Sequence, residues 1–188
     1  MNDRQWTGVV LAGGQSSRMG QDKALIDLGG ITLLDRAIEL LRPHAKEVLV
    51  IGDPGKYAPT HASVIPDDFP GKGPLGGLVT ALRHARYVRL IVLACDLPNI
   101  NDRLLIHLKS GLIGGLDAVV PKHNDLIEPL AAAYHRRAIE LFQRNIAVDR
   151  LKMSDALNRV HTRYFQLTPG EEGWPADLFK NVNAPSDL

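Results

Sequence analysis

The chain has 188 residues, 45% hydrophobic and 23% charged, which suits one globular domain, residues 1–188, with a core to bury. A formal net charge of +1 supplies neither a basic field for nucleic acid nor an acidic solvating tail. The single cysteine, Cys95, excludes an intrachain disulfide and a cysteine-cluster zinc site. No stretch approaches the roughly 20 apolar residues of a membrane span, and the opening "MNDRQW" lacks a secretory hydrophobic segment. The expectation is a cytoplasmic protein with neither a membrane nor a nucleic-acid partner.

Thr7 to Ala12, "TGVVLA", is a short β-branched apolar run and predicts a buried strand. After a polar loop comes "TLLDRAIELL". Thr32 is its predicted cap, with Asp35 at capping-box spacing. Leu34, Ala37, Ile38 and Leu41 share one helical face, and Pro43 ends the helix. "EVLVI" (47–51) predicts the second strand, and 63–65 a short third one leading into "PDDFPGKGPLGG". "LVTALRHA" has helical period, "VRLIVLA" (88–94) reads as a strand, and "NDRLLIHL" as a helix capped by Asn101. "DAVVP" and "PLAAAYH" predict strands and "RRAIELFQR" a helix. A helix near 153–160, a strand near 164–167 and a Gly/Pro-rich tail complete the chain.

Alternation of strand and helix in the first half predicts an α/β fold with a mostly parallel, doubly wound sheet in three α/β/α layers. Ligands in such sheets bind beyond the carboxyl ends of the strands. The Gly13 loop and Cys95-Asp96 leave such ends directly, and "GPLGG" follows the third strand.

The loop "LAGGQSSRMGQDK" combines Gly13, Gly14 and Gly20 with Ser16, Ser17, Arg18 and Lys23. Glycine lets backbone amides turn toward a ligand, consecutive amides form an anion nest, and the two cations make charge-assisted contacts to phosphate. It is not a Walker loop, because Lys23 lies three residues beyond Gly20. It is not the dinucleotide fingerprint either, because Gly13 is followed by Gly14. Asp96, at the end of the strongest strand, is a candidate ligand for Mg²⁺, a hard ion that prefers carboxylate, water and phosphate oxygens; the other reading is a turn cap before Pro98. Asp67 and Asp68 precede the Gly/Pro segment that holds Lys72, Gly76 and Gly77. Asn181 and Asn183 share one face if "NVN" is extended. The seven histidines are scattered, and no Ser/His/Asp or Cys/His pairing is apparent.

"LAGGQSSRMGQDKALI" resembles the opening signature of nucleotidyltransferases. The chain is most similar to the molybdenum cofactor guanylyltransferase family, which transfers GMP from GTP to molybdopterin and releases pyrophosphate. The likeness extends in order through "PDDFPGKGPLGGL", "LACDLP" and "FKNVNAPSDL", and is loose from 122 to 168. It implies a Rossmann-like nucleotidyltransferase fold. It also implies a nucleotide site of Leu11, Ala12, Gly13, Gly14, Lys23, Asp67 and Asp96, with Asp67 toward the guanosine. Arg18, Lys23 and Asp96 would be catalytic, Asp96 would hold Mg²⁺, and Asn181 and Asn183 would meet the pterin. The same resemblance implies transient contact with proteins that insert the cofactor.

Two positions depart from the family pattern. Ile51 stands where an asparagine often reaches the base or ribose, so either another group replaces that contact or base selection is looser. Glu128 precedes Pro129, where an uncharged polar residue or histidine is more usual. Gly13 in place of alanine resembles the guanylyl branch. The rival readings are CMP transfer to molybdopterin, nucleotidyl transfer to a sugar phosphate, and a non-catalytic nucleotide- or cofactor-binding protein.

Overall fold

The first apolar run lies inside the sheet, where strand residues bury both faces. β1 (Trp6–Leu11) is buried along its whole length. It pairs in parallel with β2 (Glu47–Ile51) on one side and β4 (Arg89–Ala94) on the other, and β3 (Ser63–Ile65) extends the sheet in parallel beyond β2. The computed structural model describes residues 5–13, 22–57, 60 and 62–182. Strands covered on both faces read as near-continuous apolar runs rather than as alternating ones, which is the pattern of β1 and β4.

The far half of the sheet departs from parallel order. β7 (Ala131–His135) runs antiparallel to β4 and to β5 (Ala118–His123), while β8 (Thr162–Gln166) pairs in parallel with β5. β6 (Leu126–Ile127) also pairs antiparallel with β5. The cause is connection length. Antiparallel neighbours can be joined by a tight turn, whereas a parallel return needs a crossover of a dozen or more residues; the link from β5 through β6 to β7 is too short for one.

Two apolar cores lie on the two faces of the sheet, which gives the three layers. Val10 points into the core under α1 (Leu33–Leu41) and α4 (Asp102–Gly111). Its neighbours Val9 and Leu11 point into the core under α3 (Gly73–His84), α5 (Ile139–Ala147) and α6 (Met153–Leu157). Leu34 and Leu41 of α1 are fully buried, each contributing about 1.5–3 kcal/mol of transfer free energy. Thr32 caps α1 as expected: its Oγ1 accepts from the Asp35 amide at 3.0 Å and donates to the Asp35 carboxylate at 2.7 Å. Asn101 caps α4 by accepting from the Leu104 amide.

Several features differ from the sequence reading. α3 begins at Gly73, inside the segment read as a loop, because Pro74 is tolerated in a first helical turn, where its missing N–H costs nothing. A 3-10 turn over Arg136–Ala138 precedes α5. The Gly/Pro-rich tail is packed rather than loose: Trp174 and Leu178 are buried in the core on the α4 side, and the Arg103 guanidinium stands 4.1 Å from the Trp174 ring centroid. Among the described residues, no helix is long and apolar enough to cross a membrane.

Candidate active site

Because β3, β2, β1 and β4 are parallel, their carboxyl ends share one edge. The chain builds outward from β1 through β2 to β3, then returns to place β4 on the opposite side of β1. The strand order reverses there, and a crevice forms at such a point. A cavity of about 190 Å³ opens at this edge. Leu11, Ala12 and Gly13 reach it from the end of β1, Lys23 from a 3-10 turn (Lys23–Leu25), Asp67 from beyond β3, and Asp96 from beyond β4. Six residues proposed from motifs far apart in the sequence therefore line one cavity. Gly14 and Arg18 lie outside the described residues, as does Asn183. Asn181 is exposed and does not line the cavity, but its neighbour Val182 donates its amide to the Asp96 carbonyl.

The electrostatics centre on Asp96. Lys23 Nζ stands 3.9 Å from Asp96 Oδ2. Burial pushes the Asp96 carboxyl above the usual carboxylate range, and the Lys23 ammonium and a backbone hydrogen bond offset only part of that. A carboxylate that one lysine does not fully compensate suits a further cation. Among the described residues, no group of three or more His, Cys, Asp or Glu side chains could hold a metal ion. A single carboxylate such as that of Asp96 would fit a hard ion that completes its shell with phosphate and water oxygens, as Mg²⁺ does. Cys95 also lines the cavity, but burial, with Asp96 second, pushes its thiol up to about 12. It stays protonated and is no nucleophile.

Asp67 is held rigidly. Its Oδ1 accepts from the Phe69 amide at 2.9 Å and from Thr80 Oγ1 at 2.8 Å. Thr80 is fully buried on α3, and the sequence reading missed it. Its only signal was a hydroxyl on an otherwise apolar helix face. Asp68 turns away to Arg83 and His84, at 2.8 and 3.1 Å, and Lys72 to Asp149 at 2.9 Å; neither lines the cavity.

Gly76 and Gly77 sit within α3 rather than in a loop. Gly77 lines the cavity, and a Cβ there would stand 3.3 Å from Leu11 Cδ2, so glycine sets how closely α3 approaches β1. The apolar wall includes Ile51, Ala94 and Leu130. Ile51 thus faces the cavity where the family pattern has a polar side chain. Glu128 does not line it; its carboxylate lies 2.8 Å from His123 Nε2.

A sequence model of the MobA-like NTP transferase domain matches residues 8–162. The chain belongs to this family. Relatives match over nearly their full length. A protein named "Probable molybdenum cofactor guanylyltransferase" from Carboxydothermus hydrogenoformans is 34% identical, covering 96% of this chain and 92% of that one. One of the same name from Bacillus subtilis is also 34% identical, covering 96% and 91%. Among solved structures, molybdopterin-guanine dinucleotide biosynthesis protein A from Archaeoglobus fulgidus superposes with a TM-score of 0.81 at 30% identity, covering 96% of this chain and 94% of that one. A 4-diphosphocytidyl-2C-methyl-D-erythritol synthase from Anaerococcus prevotii, at 8% identity and TM-score 0.71, shares the fold alone. As a MobA-like protein the chain is a nucleotidyltransferase, and its cavity lies at the carboxyl edge where such a sheet binds ligands.

Proposed function

We propose that the protein transfers GMP from GTP to molybdopterin, forming the guanine dinucleotide cofactor and releasing pyrophosphate. The observation that carries this reading is the meeting of Lys23, Asp67 and Asp96 in one cavity at the carboxyl edge of the sheet. The names of the relatives supply the two substrates.

The reaction is a displacement at the α-phosphorus. An oxygen of the molybdopterin phosphate forms the new P–O bond, and the bond to pyrophosphate breaks. The attacking oxygen is already anionic, so no strong general base is needed, in keeping with a cavity whose described lining residues include no histidine and whose one thiol stays protonated. Catalysis is then alignment and charge neutralisation. Lys23, Arg18 and the amides near Gly13 and Gly14 oppose the triphosphate charge. Asp67, fixed by Thr80 and Phe69, accepts from the guanine or its ribose. Asp96 would hold Mg²⁺, which would supply charge neutralisation to the phosphates. Asn181 and Asn183 receive the pterin side of the second substrate.

The test is pyrophosphate release by the pure protein with Mg²⁺. Release should require GTP and molybdopterin together. Release from GTP alone at the same rate would make it a hydrolase and sink the reading.

A further inference from the structure

Tyr57, at the end of the short helix α2 (Pro54–Tyr57), lines no part of the cavity, yet it touches both ends of the segment that carries the Gly-Ser-Arg motif. Its hydroxyl lies 3.1 Å from the Ala12 carbonyl oxygen and 2.8 Å from Asp22 Oδ2. Ala12 stands just before that segment and Asp22 just after it. The ring is buried, and its seat depends on Gly52, where a Cβ would fall 2.6 Å from Tyr57 Cε2. Burial, then the Asp22 carboxylate, push the phenol well above its ordinary range, so it keeps its proton and remains a donor.

Asp22 passes the constraint on. Its Oδ2 also takes Lys56 Nζ at 3.2 Å, and its Oδ1 accepts from the Ala24 amide at 3.2 Å, capping the turn that begins with Lys23. Both carboxylate oxygens are engaged, so the turn cannot swing without breaking a charge-assisted hydrogen bond. We infer that Tyr57 is a positioning residue for the triphosphate subsite: by donating its one proton to the Asp22 carboxylate at 2.8 Å, with the Ala12 carbonyl oxygen at 3.1 Å as the second acceptor of the same shared hydrogen bond, it sets where the Lys23 ammonium stands. The inference rests on the nucleotidyl-transfer reading above, and it adds a residue distant in sequence that touches no substrate.

The test is a double-mutant cycle read by calorimetry with GTP and GMP in Mg²⁺. Tyr57→Phe keeps the ring and removes only the hydroxyl. It should weaken GTP binding about tenfold, the scale of one hydrogen bond to a charged group, while GMP binding changes less than about twofold. In a Lys23→Ala background the same change should cost GTP binding less than about twofold, because the lysine it positions is gone. Asp22→Asn, which breaks the link from the other side, should weaken GTP binding in the same sense and serves if Tyr57→Phe fails to fold. Equal loss of GTP and GMP, or the same loss with and without Lys23, overturns the positioning role and leaves the nucleotidyl-transfer reading standing. A wild-type protein that binds no nucleoside triphosphate overturns that reading, and the role of Tyr57 with it.

Discussion

The backbone amide of Val182 donates to the carbonyl oxygen of Asp96 at 2.9 Å. Val182 is itself buried against Ile26 and Leu33, so the end of the described chain is fastened beside the end of β4. Asp67, by contrast, follows β3, at the other end of the row of parallel strands β3-β2-β1-β4. On the proposed reading, the nucleotide base lies toward the Asp67 end of this edge and the pterin toward the Asp96 end.

Replacing Asn181 and Asn183 together with alanine should raise the KM for molybdopterin at least about tenfold, the scale of lost hydrogen bonds to a charged group. GTP affinity should stay within about twofold of wild type. Steady-state kinetics in each substrate checks this. A loss of GTP affinity with an unchanged pterin KM would move the pair to the nucleotide.

Asp96→Asn should reduce turnover about 100-fold or more, the scale of losing one electrostatic contact to the reacting group. The fold should survive. Burial raises the Asp96 carboxyl above its ordinary value of 3.8, so between that value and the raised one the folded protein binds more protons than the unfolded chain. The contribution of this group to stability falls as pH rises through that window, and at neutral pH the ionised form costs stability. The variant should then melt no lower than wild type at pH 7, while wild-type activity should fall as pH drops through a value above the ordinary carboxylate range. A variant that melts lower at pH 7 would show that Asp96 supports the fold instead.

Gly76→Ala should destabilise the fold by about 1–3 kcal/mol, as overpacking does. The new Cβ would lie 2.8 Å from the Phe69 carbonyl oxygen, a backbone atom that cannot turn aside. Denaturant titration measures it, and an unchanged midpoint would contradict the close approach.

The parts of the molecule legible in the sequence were those set by local pattern. The buried strands 6–11 and 89–94 announced themselves as apolar runs, and Thr32 and Asn101 as caps. Gly13 and Asp96 were legible because they leave the ends of β1 and β4 directly, Lys23 because it is a cation in a glycine-rich loop, and Asp67 through the resemblance to the family. Direction was not legible at β7: "AAAYH" is apolar whichever way it runs, and the short link from β5 decides. The start of α3 was hidden because glycine and proline read as loop, although Pro74 is tolerated in a first helical turn. Thr80 and Tyr57 were missed because their partners lie 13, 35 and 45 residues away, and no spacing rule reaches that far.

Gly13→Ala should shift base preference without disturbing the fold. Among the described residues, a Cβ at Gly13 would meet nothing closer than the Ile51 carbonyl oxygen at 3.9 Å, an ordinary contact distance. A bound purine would lose the room. With the apolar Ile51 in the wall, discrimination should lie in the regime of shape, roughly 10–200-fold, rather than in that of paired polar groups. The ratio of kcat/KM for GTP over CTP should fall in the variant while Tm stays unchanged. An unchanged ratio would remove Gly13 from base selection.

Guanylyl transfer to molybdopterin is tested most directly by product identity. The pure protein, with Mg²⁺ and molybdopterin, is incubated separately with GTP, CTP and ATP, and each product is weighed by mass spectrometry. Molybdopterin guanine dinucleotide from GTP should be the dominant product. A cytosine or adenine dinucleotide formed in preference, or no dinucleotide from any of the three, would contradict it.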